Sequence, residues 1–354
     1  MGFQKALAVD DNELVSQPKE NSDPKTWLVV GDGDLSYSAC IAKDLEDANT
    51  RLVATVLEEE DVHNRVYDGS KRHAETVSSH PSHSVRFGID ATKLQSSFPD
   101  MLFDGIEFNF PHWRGKTNAR YNRQLVNSFL ESAKMVLKPD GEIRVALCLG
   151  QGGMPADSLQ EWRQSWLPAM YAADNGLLLR RLEPYKPEYD LSSHRGVDRP
   201  FFIGDSPQRY VFTFPDENPI DQDLQISCRH ELRLMLNPDR LEESPVSLYE
   251  IVHGDAVLEL AQKLMPQGIR FEIPARDVLT PQIVKDGHVP LAVFLLNYSG
   301  ERAPLTRDCA DEIRATIEAT IKEEWKLEIA KEGRLVSKPY PRQLLPKLIR
   351  EYDR

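Results

Sequence analysis

A glycine-rich turn carries the first group of residue types in this chain that are suited to chemistry. Gly31-Asp32-Gly33-Asp34 separates an apolar run from an amphipathic stretch, which predicts a strand, a tight turn and the start of a helix. The two glycines allow positive φ and let a ligand approach the backbone closely. The N–H groups that open the helix favour a carboxylate or a phosphate. A purely structural turn explains the loop about equally well, because Ser36 replaces the third glycine of a dinucleotide pattern.

A second group, Asn109-Phe110-Pro111-His112, follows an apolar strand. Asn109 can donate and accept hydrogen bonds at once, Phe110 offers a stacking face, and Pro111 stiffens the backbone. This equipment suits a flat, hydrogen-bonding base held near a reactive carbon. His112 could accept a proton, since an imidazole titrates near neutrality. The competing interpretations are a capped turn with a core phenylalanine and a structural histidine.

Two carboxylates follow other predicted strands. Glu58 is placed to accept hydrogen bonds from ribose hydroxyls, although an acidic run that opens a helix explains it as well. Asp90 could accept a bond from an adenine amino group, or cap a helix that begins near Thr92. Together with the glycine loop, these groups suit a ligand that contains adenosine.

The segment after His112 is locally basic and contains two aromatic residues, Trp113 and Tyr121. Such interleaving suits an RNA backbone with unstacked bases, and a solvated loop and helix face is the alternative. The candidate RNA-binding residues are Phe110, Arg114, Lys116, Arg120 and Arg123.

Alternating strand and helix patterns position these groups. The predicted strands lie at 27–30, 52–57, 85–89, 103–108, 142–149, 177–182 and 210–214, with helices at 125–137 and 159–173 and a turn at 139–141. Alternation of this kind predicts an α/β domain with a mostly parallel sheet and helices on both faces. Ligands bind such sheets beyond the carboxyl ends of the strands, so the candidate residues are expected to meet in one site.

Changes in the pattern predict two domains. A polar leader covers residues 1–25, the α/β domain 26–215, an acidic linker 216–224 and a second domain 225–354. Strands at 226–236, 269–273, 291–297 and 327–336, with helices at 248–265 and 309–325, give the order βαββαβ of a ferredoxin-like α+β domain. A basic, proline-rich tail is expected at 338–347.

Composition excludes several classes of function. The formal net charge of -13 argues against broad, sequence-blind binding to nucleic acid. No stretch approaches the ~20 apolar residues of a membrane helix, and no signal peptide is apparent, so a nuclear, nucleolar or cytoplasmic location is expected. The four cysteines form no CxxC pair, which argues against a zinc site or a disulfide framework, and no metal site is predicted.

Residues 1–215 resemble the ribosomal RNA (uridine-N3)-methyltransferases, whose domain is a Rossmann-like class I methyltransferase domain. The resemblance rests on Val30–Ser38, Phe103–His112, Asn122–Leu125, Lys138–Leu147 and Tyr185–Phe202. Gly150–Trp166 is similar to the branch named ferredoxin-fold anticodon-binding domain-containing protein.

The resemblance implies S-adenosyl-L-methionine as the methyl donor and a structured RNA, rRNA or tRNA, as the acceptor. It assigns the methionine end of the cofactor to Gly31, Asp32, Gly33, Leu35 and Ser36 and the adenine to Asp90 and Ala91, while position alone suggests Glu58 for the ribose. Asn109, Phe110, Pro111 and His112 face the acceptor base, with Asn109 also near the cofactor.

Two other functions are considered. One is a catalytically inactive RNA-binding or assembly factor that retains the fold, and the second domain is expected to recognise RNA or a protein partner. The other, a dinucleotide-dependent oxidoreductase, is disfavoured by Ser36 and by the residues at 109–112.

Overall fold

The first part of the chain forms a mostly parallel sheet. The computed structural model describes residues 23–115, 118–192, 203–279, 289–330 and 336–352. The strands of this sheet are β1 (Lys25–Val29), β2 (Thr50–Thr55), β3 (Ser84–Arg86), β4 (Phe103–Asn109), β5 (Leu137–Leu147), β6 (Leu178–Pro184) and β7 (Gln208–Thr213). Their spatial order is β3-β2-β1-β4-β5-β7-β6. Strands β1 to β5 pair in parallel, whereas β7 pairs antiparallel with both neighbours. The predicted Rossmann-like α/β fold is confirmed.

The order of the strands determines where a ligand can bind. From β1 the chain moves first toward β2 and β3 and then returns to place β4 on the opposite side of β1. In open α/β sheets, such a reversal leaves a crevice at the carboxyl ends of the two strands on either side of it. The glycine loop follows β1, and residues 109–112 follow β4, so both lie at this reversal.

Helices cover the sheet because their apolar residues recur at helical spacing. The helices of this region are α1 (Ser36–Asp47), α2 (Glu60–Val66), α3 (Ser70–Ser78), α4 (Leu94–Ser97), α5 (Ala119–Lys134), α6 (Leu159–Gln164) and α7 (Pro168–Asp174). On α5, buried Val126, Phe129, Leu130 and Ala133 form one apolar face. The turn expected at 139–141 lies inside β5, where the pairing register with β4 is irregular.

A second sheet follows a short irregular segment. It contains β8 (Ile226–Met235), β9 (Ile269–Leu279), β10 (Leu291–Gly300), β11 (Glu328–Ile329) and β12 (Tyr340–Pro341), and its helices are α8 (Pro238–Glu243), α9 (Leu248–His253), α10 (Asp255–Leu264) and α11 (Arg307–Glu324). All its pairs are antiparallel, in the order β11-β8-β10-β9 with β12 beside β8. This is the expected ferredoxin-like arrangement.

Two local predictions for this second region were wrong. The helix expected at 248–265 is divided into α9 and α10 by Gly254, which has φ +82 and ends the first helix. The strand expected at 327–336 is short, since β11 ends at Ile329 and residues 331–335 lie outside the described residues.

The end of the chain is folded rather than extended, contrary to the expected tail. Residues 345–352 form helix α12 (Leu345–Tyr352) after β12. Tyr340, Leu344 and Leu348 are buried in the apolar cluster that also contains Trp162 of the first part. The indole N–H of Trp162 donates to the carbonyl oxygen of Pro339 over 3.0 Å. The prolines suggested a tail, but Pro346 lies in the first turn of α12, where a missing N–H does not cost a helical hydrogen bond.

Candidate active site

The glycine loop has backbone angles that explain its composition. Gly31 has φ +63, and a Cβ there would lie 2.7 Å from the ring of Phe108. Gly33 has φ +43. The N–H of Leu35 donates to the carbonyl oxygen of Asp32 over 2.6 Å, which closes the loop onto α1. The side chain of Leu35 is fully buried in an apolar cluster and lines neither cavity described below, so its predicted role in holding the cofactor is not supported.

Asp32 is one of two carboxylates in the loop, the other being Asp34. One of its carboxylate oxygens accepts a hydrogen bond from the backbone N–H of Ser38 over 2.7 Å, at the start of α1. Burial raises the pKa of Asp32 to about 7, an effect that the bonds from Ser38 partly offset and nearby Asp34 adds to. A bound cation beside this carboxylate would favour its ionised form.

Two histidines that the sequence analysis did not identify hold the same loop. Nε2 of His63, on α2, donates to the carbonyl oxygen of Gly33 over 2.7 Å. Nδ1 of His73, on α3, donates to the carbonyl oxygen of Asp34 over 2.9 Å. His63 is completely buried. Both histidines lie in polar helices. No signal in the sequence indicates that their side chains contact the loop, and only the tertiary structure shows it.

The larger of two adjoining cavities brings residues from several strand ends together. Its volume is about 750 Å³, including space open to solvent. Its lining includes Gly31, Gly33, Glu58, Asp90, Ala91, Phe110, His112 and Arg114. Asp90 also has the capping role considered as its alternative, because it accepts bonds from the N–H and the hydroxyl of Thr92.

The second cavity lies against the other side of the glycine loop. Its lining includes Gly31, Asp32, Gly33, Ser36, Asn109, Phe110, Tyr189, Leu191 and Ser192, and its volume is about 530 Å³, including space open to solvent. Gly31, Gly33 and Phe110 line both cavities, so the two adjoin, and together they are called the cleft below. Pro111 is buried and lines neither cavity.

Asn109 has an unusual environment at the end of β4. Both its amide nitrogen and its carbonyl oxygen are buried, and neither has a hydrogen-bond partner among the described residues. The next residue, Phe110, has φ +50, which a bulky side chain seldom adopts. Buried polar groups are normally paired, and strained backbone is concentrated at functional sites. This combination marks the end of β4 as a place where a ligand would supply the missing partners.

The segment after β6 forms the wall opposite the glycine loop, and the sequence analysis named no site residue in it. The hydroxyl of Ser36 donates to the carbonyl oxygen of Asp190 over 2.9 Å. The hydroxyls of Tyr185 and Tyr189 are 3.1 Å apart. Burial raises the pKa of Tyr189 above its ordinary value, so its hydroxyl remains protonated at neutral pH. Residues 193–202, which include part of the segment with a family resemblance, lie outside the described residues.

A buried ion pair between Glu107 and Arg209 supports the residues around Asn109 and Tyr185. Glu107 precedes Asn109 by two residues on β4, so both side chains emerge on the same face of the sheet. Arg209 donates to Glu107 over 2.8 Å, and its guanidinium lies 4.7 Å from the ring centre of Tyr185. Phe110 packs edge-on against the same tyrosine ring, at 5.4 Å.

His112 has a defined orientation. Its Nδ1 donates to the carbonyl oxygen of Trp113 over 2.6 Å. In the neutral ring, Nε2 then carries the lone pair, as a proton acceptor requires. His112 lines the larger cavity together with Arg114.

The predicted RNA-binding residues are not all on one surface. Arg123 donates to the carbonyl oxygens of Arg163 and Ser165, the latter from Nε over 2.8 Å, and so fixes the end of α6. Its guanidinium is thus engaged within the fold, and its predicted contact with RNA stays a prediction. Arg120 is exposed in the first turn of α5, and Lys116 lies outside the described residues.

The described residues contain no helix of the length and apolar character needed to cross a membrane. They also contain no group of three or more histidine, cysteine, aspartate or glutamate residues arranged to hold a metal ion.

Comparisons with known proteins locate the resemblance in the first part of the chain. Residues 28–194 match the family model BMT5-like, described as rRNA (uridine-N3-)-methyltransferase. The ferredoxin-fold anticodon-binding domain-containing protein 1 homolog of Mus musculus is 36% identical over 199 residues, and its Homo sapiens counterpart is 35% identical over 197 residues. Each alignment covers 54% of this chain and 31% of the relative, so the match spans about a third of the relatives' length. The structure of TrmN from Thermus thermophilus has 18% sequence identity and a TM-score of 0.34, over 54% of this chain and 44% of that one. The resemblance predicted from the motifs is confirmed for residues 28–194, which are similar to the BMT5-like family.

Proposed function

We propose that this protein is an S-adenosylmethionine-dependent RNA methyltransferase that modifies a ring nitrogen of uridine in rRNA or another structured RNA. The observation that carries the proposal is the buried carboxamide of Asn109, which has no hydrogen-bond partner among the described residues and lies in a cleft beside the glycine loop. The amide nitrogen of a carboxamide can donate to a carbonyl oxygen of uracil, which orients the base and leaves its ring nitrogen open to the methyl group. An rRNA substrate agrees with a nucleolar or cytoplasmic location.

The cleft fits the proposed cofactor. Gly31 and Gly33 line both cavities, so a ligand can reach main-chain atoms there. Glu58 is available for the ribose, and Asp90 and Ala91 for the adenine, because all three line the larger cavity. Asp32, whose carboxylate lies in the smaller cavity, suits a cationic amino group.

Each residue at the acceptor side has a role that its position supports. The cofactor supplies a methyl group activated on a positively charged sulfur. Asn109 orients the base, and the protein mainly contributes proximity and alignment. Because the uracil ring nitrogen is protonated at neutral pH, its proton must leave when the new bond to carbon forms, and Nε2 of His112 receives it.

Binding and transfer are measured separately. Titration calorimetry with S-adenosylmethionine tests the cofactor site. Transfer of radiolabelled methyl to total RNA, followed by mass spectrometry of nucleosides, tests the reaction and identifies the modified base. We expect Asn109→Ala and His112→Ala to reduce transfer by at least tenfold, whereas Asn218→Ala, at an exposed position, leaves it unchanged.

The results separate the two candidate functions. Binding of the cofactor without transfer to any RNA would identify a catalytically inactive RNA-binding factor. Absence of cofactor binding by the folded protein would refute the proposal.

A further inference from the structure

We propose that the stacked rings of Trp113 and Tyr121, with Arg114 and Arg120, form a docking surface for single-stranded RNA next to the cleft. This inference deepens the proposed function, on which it rests for the nature of the substrate. It concerns the nucleotides that flank the modified base rather than the base itself.

The two rings form a platform. Their centroids are 5.5 Å apart, their planes are inclined by only 18°, and the Tyr121 residue is 42% exposed. Two hydrogen bonds fix the backbone of Trp113. Its N–H donates to the side chain of Asn122 over 2.8 Å, and its carbonyl oxygen accepts from His112 over 2.6 Å. The fixed ring of Trp113 and the exposed ring of Tyr121 together present a flat aromatic face to solvent.

The platform is continuous with the cleft. His112 and Arg114, the neighbours of Trp113 in sequence, both line the larger cavity. Leu125 lines it too, and Tyr121 lies one turn earlier on the same face of α5. A strand that presents one nucleotide to the cleft would therefore meet the platform with a neighbouring nucleotide.

Charge favours RNA over a protein partner here. Residues 108–130 contain four Lys or Arg residues and no Asp or Glu, although the whole chain has a formal net charge of -13. Of these cations, Arg114 and Arg120 are exposed, and Arg120 lies in the first turn of the 16-residue helix α5, where the helix dipole also attracts anions. Phosphates complement this surface, and the platform offers bases a face on which to stack.

Stacking on an exposed ring also indicates single-stranded rather than double-stranded RNA. Bases inside a duplex already stack on one another, whereas unpaired bases are free to stack on aromatic side chains. We therefore expect the surface to select loops, bulges or ends of a structured RNA.

Fluorescence anisotropy of a short labelled oligouridine, with the full chain, tests the inference. Tyr121→Ala should weaken binding by about 5- to 150-fold, the range for loss of one base–aromatic stack, while Tyr121→Phe should remain within about twofold of the original. Tyr249→Ala is the control, because Tyr249 is also an exposed tyrosine stacked on another ring, 67% exposed and against His253, but it lies in the second region. Arg120→Gln should lower the slope of log affinity against log salt by about 0.7, as for one lost phosphate contact on a single strand.

Three outcomes would overturn the inference: unchanged affinity of a folded Tyr121→Ala variant, equal affinity for a duplex of the same length, or no RNA binding by the original protein. The last would leave a protein partner as the occupant of this surface. Failure of the proposed function would give a different pattern. The protein would not bind the cofactor, but Tyr121→Ala would still bind oligouridine more weakly than the original protein does. Conversely, cofactor binding and methyl transfer with unchanged RNA affinity in that variant would refute only the docking surface.

Discussion

The Nε2–H of His63 donates to the carbonyl oxygen of Gly33 over 2.7 Å, and this bond ties helix α2 to the loop on which both cavities depend. The imidazole is completely buried, so water cannot replace it when the side chain is removed. His63 is thus a positioning residue for the loop rather than a wall of the cleft.

Removal of the His63 imidazole should weaken cofactor binding. His63→Ala leaves a buried carbonyl without its donor, at a cost of about 1–3 kcal/mol, and we expect affinity for S-adenosylmethionine to fall by about 5- to 100-fold in calorimetry. His63→Gln, whose amide can donate to Gly33, should recover part of the loss. His80→Ala, a histidine bonded to Glu46 on the surface, serves as the control. Equal affinities for His63→Ala and the original protein would contradict this role.

Gly31→Ala should destabilise the fold and disturb the glycine loop of the site. Positive φ alone costs an L side chain about 1–2 kcal/mol, and the contact of 2.7 Å with Phe108 adds about 1–3 kcal/mol. Gly176 has φ +79 but no atom within 4 Å of the added Cβ, so Gly176→Ala should show only the backbone cost. Urea unfolding of both variants measures the difference in free energy. Equal losses of unfolding free energy in the two variants would show that the Phe108 ring moves aside at no energetic cost.

Replacement of Asn109 by an apolar residue should separate stability from function. Asn109→Leu removes two buried polar atoms that have no partner within the described part of the chain, so the free energy of unfolding should stay equal or rise by about 1 kcal/mol while methyl transfer is lost. Asn122→Leu is the contrast, because it deprives the N–H of Trp113 of its acceptor and should cost about 1–3 kcal/mol. A large loss of stability in Asn109→Leu would show that its carboxamide is paired within the fold.

Asp32 should make both stability and ligand binding depend on pH. Because burial raises its pKa to about 7 in the folded state, the folded protein retains a proton that the unfolded chain has released. This contribution to stability is complete below about pH 4 and is lost as pH rises through about 7. A cationic ligand beside the carboxylate should therefore bind more tightly as pH rises across the same interval.

The matched variant for this pH dependence is Asp32→Asn, which cannot titrate. Thermal unfolding and calorimetry at a series of pH values should show a smaller dependence in Asp32→Asn than in the original protein. Identical profiles would assign the titration to another group.

The terminal helix should stabilise the first sheet. Leu348 is 5% exposed within the cluster that contains Trp162, so Leu348→Ala should cost about 2–5 kcal/mol of unfolding free energy. Arg350→Ala changes an exposed position of the same helix, whose side chain bonds only to Pro346 one turn earlier among the described contacts, and should cost less than about 0.5 kcal/mol. If both variants unfold at the same denaturant concentration, residues 345–352 do not contribute to the core.

Local sequence was sufficient for the order of the elements and for the strand ends that line the cleft. Apolar strands, helical spacing and the glycine turn are encoded by neighbouring residues, and parallel strands bring their carboxyl ends to one edge. The positions of Gly31, Glu58, Asp90, Asn109 and His112 in one cleft follow from that rule.

Tertiary structure alone decided which polar residues complete the cleft. His63 and Gly33 are separated by 30 positions, and Ser36 and Asp190 by 154. No local sequence pattern therefore predicts either hydrogen bond. For the same reason Arg123 was expected to bind RNA but donates to carbonyl oxygens some 40 positions away. Side-chain hydrogen bonds and apolar packing form between whichever surfaces the fold brings together, and that proximity is a property of the folded chain rather than of any segment.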